Sequence, residues 1–129
     1  MAVRLAPGLA VTEGGALLDS EGRRDDAVWG KRARWVLASG KTRGTAAAVA
    51  MFDHPANPRH PTTWHARNYG LLAANPFGLS DFEGAAKGTG DLVVAANGEL
   101  RLRWRIVVFD AAPSTETLER IAADYGRAR

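Results

Sequence analysis

The segment ELRLRWRIVVFD, Glu99 to Asp110, limits the choice of fold more than any other part of the chain. Leu100, Leu102, Trp104, Ile106 and Val108 fall on one side of an extended backbone, and Arg101, Arg103 and Arg105 on the other. Alternation with period two over this length belongs to a strand with one face against a core, not to a helix. Asp91–Ala95 (DLVVA) precedes it across Ala96-Asn97-Gly98. Asn-Gly supplies the positive φ angles of a tight turn, so the spacing predicts a hairpin over Asp91–Asp110.

The same period recurs upstream. Trp29–Leu37 alternates, with Trp29, Lys31, Ala33, Trp35 and Leu37 on one face. Ser39-Gly40-Lys41 is expected to turn into a small-residue strand over Thr45–Phe52. Leu9–Thr12 and Ala16–Asp19 read as two short strands around Gly14-Gly15, and His65–Ala73 as one further strand. Ser114 or Thr115 can cap a final helix, along which Leu118, Ile121, Ala122 and Tyr125 form an apolar stripe. A chain of 129 residues fits one domain. The expected fold is therefore mainly β over residues 1–129, an antiparallel β-sandwich with one C-terminal α-helix.

Composition removes several function classes. With no cysteine there is no disulfide, thiolate nucleophile or Cys-ligated zinc or iron–sulfur site. No apolar run approaches the ~20 residues that span a bilayer, and MAVRLAPGLAVTEGG lacks a signal-peptide core. A cytoplasmic protein with no membrane partner is expected. The net charge of +3 is spread along the chain with acidic residues among the basic ones, as in EGRRDD, so nucleic acid is not expected as a partner.

Chemistry concentrates in FDHPANPRHPTTWHARNYG, Phe52 to Gly70, which holds all three histidines and three of six prolines. His54, His60, His65 and Asp53 are residue types that bind zinc, iron or copper, but their spacing matches no ligand motif. No cofactor is favoured on this ground, and a divalent metal is left open. Asp53, His54, Asn57, Arg59, Trp64, His65, Arg67 and Tyr69 offer carboxylate, amide, guanidinium and planar ring on a proline-stiffened loop and the strand after it. That mixture suits a sugar-like ligand, with forked hydrogen bonds to hydroxyls and a ring to stack on. Glu21, Asp53, His54 and His65 are the candidate acid–base groups. Arg103, with Arg101 and Arg105, adds a cationic strand face.

These motifs also carry a resemblance. SEGRRDDAVWGKRARWV (Ser20–Val36), AMFDHPANPRHPTTWHARNYG (Ala50–Gly70), LLAANPFG (Leu71–Gly78) and LRLRWRIVVFD (Leu100–Asp110) are similar to the bacterial PmoA-like family, often labelled methane oxygenase and otherwise of unknown function. The resemblance implies a β-sandwich related to those of sugar mutarotases, with this chain as the C-terminal half of a longer pattern. A site shared between halves would then need the missing N-terminal half or a second copy of the chain. Methane oxidation does not carry over, because the membrane subunit of that name is a bundle of spanning helices. Three readings follow: a protein that binds or acts on a carbohydrate-like molecule through residues 52–70, a non-catalytic assembly module completed by a partner, or a His-ligated metal enzyme.

Overall fold

The computed structural model describes residues 1–128. Within them, strands β1 (Ala2–Arg4), β6 (Leu71–Ala74) and β5 (Trp64–Arg67) lie side by side in that order as one antiparallel sheet. A second antiparallel sheet has the order β2 (Ala16–Asp19), β3 (Trp35–Thr42), β4 (Thr45–Asp53) and β7 (Trp104–Phe109). A five-residue helix α1 (Leu79–Glu83) follows the first sheet, and α2 (Thr115–Arg127) closes the chain. The protein is thus mainly β, two antiparallel sheets with one C-terminal helix, as its periodicity predicts.

Two cores account for the layering. Val36, Ala38 and Met51 of the larger sheet meet Trp64, Ala66 and Leu72 of the smaller one. On the other side of the larger sheet, Trp35, Leu37, Ala50 and Phe52 receive Leu118 and Tyr125 of α2. The central run Trp35–Ala38 is buried on both faces, so the alternation read over Trp29–Leu37 does not divide a core face from a solvent face there. Ser114 caps α2, its Oγ accepting from Thr117 N at 3.2 Å.

Several sequence expectations are corrected. Leu9–Thr12 is not a strand but part of two 3-10 turns, Pro7–Leu9 and Val11–Glu13. The β3–β4 turn falls at Arg43-Gly44, both at positive φ, so Ser39–Lys41 stays in the strand. Strand pairing begins at Trp35 rather than Trp29, and His65–Ala73 is two strands, β5 and β6, joined by a turn that Gly70 closes at φ 91°.

The largest correction concerns the hairpin. The turn at Asn97-Gly98 forms, with Gly98 N donating to Ala95 O at 2.8 Å, yet Asp91–Ala95 pairs with nothing in the ladder. The reason lies in the 53–62 loop. Arg59 donates to the Gly90 and Asp91 carbonyls. Asn57 takes both backbone groups of Arg103, accepting from its N–H at 2.7 Å and donating to its carbonyl at 2.6 Å. Side chains therefore hold the backbone at both ends of the segment that a cross-strand partner would need. The alternation of β7 puts Val107 and Phe109 toward α2 and Trp104 against the core between the sheets, but farther along the Trp104 face Ile106 and Val108 are 41% and 72% exposed.

The 3-10 turns lie directly on the larger sheet. A Cβ at Gly40 of β3 would stand 2.0 Å from Gly8 O and 3.2 Å from Gly15 Cα, so only glycine permits that approach. Gly40→Ala is expected to destabilise the fold by about 1–3 kcal/mol, the usual cost of overpacking, read as a lower denaturation midpoint. A midpoint equal to that of the parent protein would show that the turns do not rest on β3.

Candidate functional site

The residues of the 52–70 segment divide between two places. The first is the end of β4, where Asp53 is buried with its side chain wholly out of solvent. Its Oδ1 accepts from Asn57 Nδ2 at 2.7 Å, and its Oδ2 from Thr62 N at 2.9 Å and His60 Nδ1 at 2.8 Å. Three donors for one carboxylate leave it fully satisfied, as a buried acceptor must be. Asn57 and Arg59 then reach out to the backbone of residues 103 and 90–91 as described. His54 also works locally: Nδ1 accepts from Ala56 N at 3.0 Å, Nε2 donates to Ala128 O at 3.2 Å, and the ring meets Tyr125 edge-on at 4.8 Å.

A cleft of ≈ 350 Å³ lies beside this hub, lined by Arg34, Pro55, His60 and Glu119 among others. Arg34 forks onto Glu119, at 2.5 and 2.9 Å. With Nδ1–H donated to Asp53, His60 presents Nε2 as an acceptor with no partner among the described residues. This is the arrangement by which a carboxylate orients an imidazole for proton transfer. His54 and His65 were the candidate acid–base histidines from sequence; the histidine that meets Asp53 is His60.

The second place is the outer face of the smaller sheet. Trp64 and Ala66 point into the core, so His65 and Arg67 point away from it. Gly30 N donates to Trp64 O at 2.8 Å, and Trp64 N to Lys31 O at 3.0 Å. These two bonds hold Trp29 next to His65, with ring centroids 6.4 Å apart. Phe82 of α1 completes the group, perpendicular to Trp29 at 5.5 Å and 5.7 Å from His65. Gly30, at φ 69°, makes room for it: a Cβ there would be 3.2 Å from Phe82 Cβ.

These rings wall a cleft of ≈ 440 Å³ whose polar lining includes Asn75 and Asp81. The floor follows from strand register, since Ala2, Ala73 and His65 stand opposite one another across β1, β6 and β5. Two alanines in a row leave the space that larger side chains would fill. Asp81 is exposed and pairs with no cation among the described residues, and Trp29 Nε1, like Trp104 Nε1, is buried without a hydrogen-bond partner. The Arg67 guanidinium lies 5.4 Å from the Trp29 ring and 5.7 Å from that of Tyr69.

The remaining candidates sit elsewhere. Trp64 is wholly buried, its indole N–H donating to Ala33 O at 2.8 Å, and it builds the core. Glu21 lies on an exposed turn organised by Asp19 and accepts from Ser20 Oγ at 2.9 Å. Arg103 is held by its backbone to Asn57. The metal reading gains no geometry: among the described residues no three histidine or carboxylate side chains converge, and both ring nitrogens of His54 are engaged. Sequence reasoning missed Phe82 and Asp81, because a five-residue helix leaves almost no periodic signal, and it placed Trp29 within a strand.

The fold and cleft define a two-sheet β protein with a helix over one sheet and an aromatic recess on the other. The chain belongs to DUF6807, a family of unknown function, whose match runs over residues 1–123. Nothing in that match connects it with the PmoA or methane-oxygenase label that its motifs resemble. No curated protein and no solved structure shows significant similarity to it. Among the described residues, no helix is long and apolar enough to cross a membrane.

Two predictions test this division. Asp53→Ala strands three donors, each worth about 1–3 kcal/mol when left unsatisfied, so a loss of about 3 kcal/mol or more is expected in chemical denaturation; a loss below about 1 kcal/mol would remove its structural role. Burial, and then the charge of Arg67, push the His65 imidazole below its ordinary value, against a smaller upward pull from Asp81. Its folded pKa is depressed, so any stability linked to it is present above about pH 6.5 and is lost as pH falls through the folded value. NMR titration should place His65 below about 6.5, rising in Arg67→Gln and falling in Asp81→Asn. No response to either variant would mean that the three groups do not share one site.

Proposed function

We propose that the protein binds a carbohydrate-like small molecule in the cleft between Trp29, His65 and Phe82. One observation carries this reading: perpendicular indole and phenyl rings stand over a floor of alanines, beside a carboxylate with no partner. A pyranose ring offers apolar C–H faces to aromatic walls, and hydroxyls that donate to the Asp81 carboxylate and accept from Asn75 Nδ2, whose Oδ1 already accepts from Phe77 N at 3.0 Å. Of the 52–70 segment, His65 lines this cleft, and Arg67 lies beyond the Trp29 ring. Asp53, His54, Asn57 and Arg59 hold the framework that carries them.

The experiment is isothermal titration with D-glucose, D-galactose and D-mannose. At least one is expected to bind, with Phe82→Ala weakening it tenfold or more while the thermal midpoint moves little. Binding that survives both Phe82→Ala and Trp29→Ala would place the ligand elsewhere.

A further inference from the structure

Strand register aligns a second row on the same face. Arg4 of β1 and Arg67 of β5 both stand opposite Leu71 of β6, one step along from the Ala2–Ala73–His65 row. Two strand spacings separate their backbones, roughly 10 Å. Both guanidinium groups approach the Tyr69 ring, Arg4 at 5.5 Å and Arg67 at 5.7 Å. Arg4 also donates to Tyr69 O at 3.4 Å. Neither arginine forms an ion pair among the described residues, whereas Arg23, Arg34, Arg101 and Arg127 do.

The Trp29 ring connects this row to the cleft. It lines the ≈ 440 Å³ space on one side, and on the other a recess of ≈ 210 Å³ shared with Asp26, Ala66, Arg67 and Asn68. Asp26 is the acidic group of that recess, and it makes no ion pair with Arg67. The region is therefore electrically polarised, with the unpartnered Asp81 carboxylate toward Phe82 and two unpaired guanidinium groups beyond Trp29. A neutral ring would use the first end and leave the second idle.

We infer that the ligand is an acidic sugar, its ring against Trp29 and Phe82 and its carboxylate or phosphate group on Arg67, with Arg4 reinforcing the charge. A planar guanidinium held over two aromatic rings is placed for forked bonding to such an anion. The hydroxyls at the far end of the ring donate to Asp81 and accept from Asn75 Nδ2. This inference rests on the cleft being the binding site, and it adds the ligand's charge and orientation.

The test is titration with D-glucuronate, D-glucose 6-phosphate, D-glucose and inorganic phosphate. One or both acidic sugars are expected to bind at least tenfold more tightly than D-glucose, and the tighter of the two identifies the anionic group. Arg67→Gln should bring the affinity for the acidic sugars down to that for D-glucose. Arg67→Lys, which keeps the charge without the fork, should retain part of it, and raising the salt concentration should shrink it. Equal affinity for D-glucose and both acids would overturn the inference while leaving the sugar cleft standing. Inorganic phosphate binding as tightly as D-glucose 6-phosphate would overturn it too, since the ring would then contribute nothing. Failure of these three sugars, and of D-galactose and D-mannose, to bind would remove the cleft and the inference together.

Discussion

A buried carboxylate at the end of β4 is the constraint on which the rest of this structure hangs. Asp53 leaves the core of the larger sheet and finds its three donors within the next nine residues, on Asn57, His60 and Thr62. The loop is thereby closed on itself, and its outward-facing groups become fixed points. Asn57 sets where β7 begins, and Arg59 holds the backbone at residues 90–91. His54 and Pro55 form the seat against which the Tyr125–Gly126 turn of α2 rests; a Cβ at Gly126 would come within 3.0 Å of Pro55 Cγ. On the far side of the loop, Thr62 and Thr63 deliver the chain into β5, and with it His65 and Arg67. One ionisable group thus organises a segment whose other residues look like active-site material.

That arrangement separates holding from binding. The side chains nearest Asp53 spend their hydrogen-bonding capacity on backbone, which suits a framework and leaves little for a ligand. On the outer face of the smaller sheet the balance is opposite. Asp81 and Arg4 are exposed and Arg67 half-buried, and none of them has an ion-pair partner among the described residues. Unspent polar capacity beside a walled, small-residue floor is what distinguishes a binding surface from a packed one. The Asp53–His60 pair lies between these extremes, since its inner nitrogen is structural while its outer nitrogen faces the cleft against α2.

Much of the fold could be read from the sequence, for definite reasons. Thr45–Asp53 and Trp35–Thr42 lie at the centre of the larger sheet, where burial on both faces leaves long apolar runs. The stripe of Leu118 and Tyr125 gave α2 in the same way. The hairpin over Asp91–Asp110 did not form because local alternation is silent about distant side chains, and Asn57 and Arg59 reach it from more than 30 residues away. The site was half legible. His65 and Arg67 were marked by residue type, but their partners Trp29 and Phe82 arrive through backbone bonds and a single-turn helix that carry no period. The pairing of Asp53 with His60 rather than with its neighbour His54 is likewise a matter of loop closure.

The claim that binding belongs to the sheet face, and support to the Asp53 loop, is tested most directly by the three imidazoles. Long-range nitrogen–proton NMR spectra resolve each histidine ring while D-glucuronate is added. The account predicts that the His65 ring and the Trp29 indole signals shift with saturation, while those of His54 and His60 stay in place. A shift at His60 with His65 unmoved would contradict it and move the site to the cleft beneath α2.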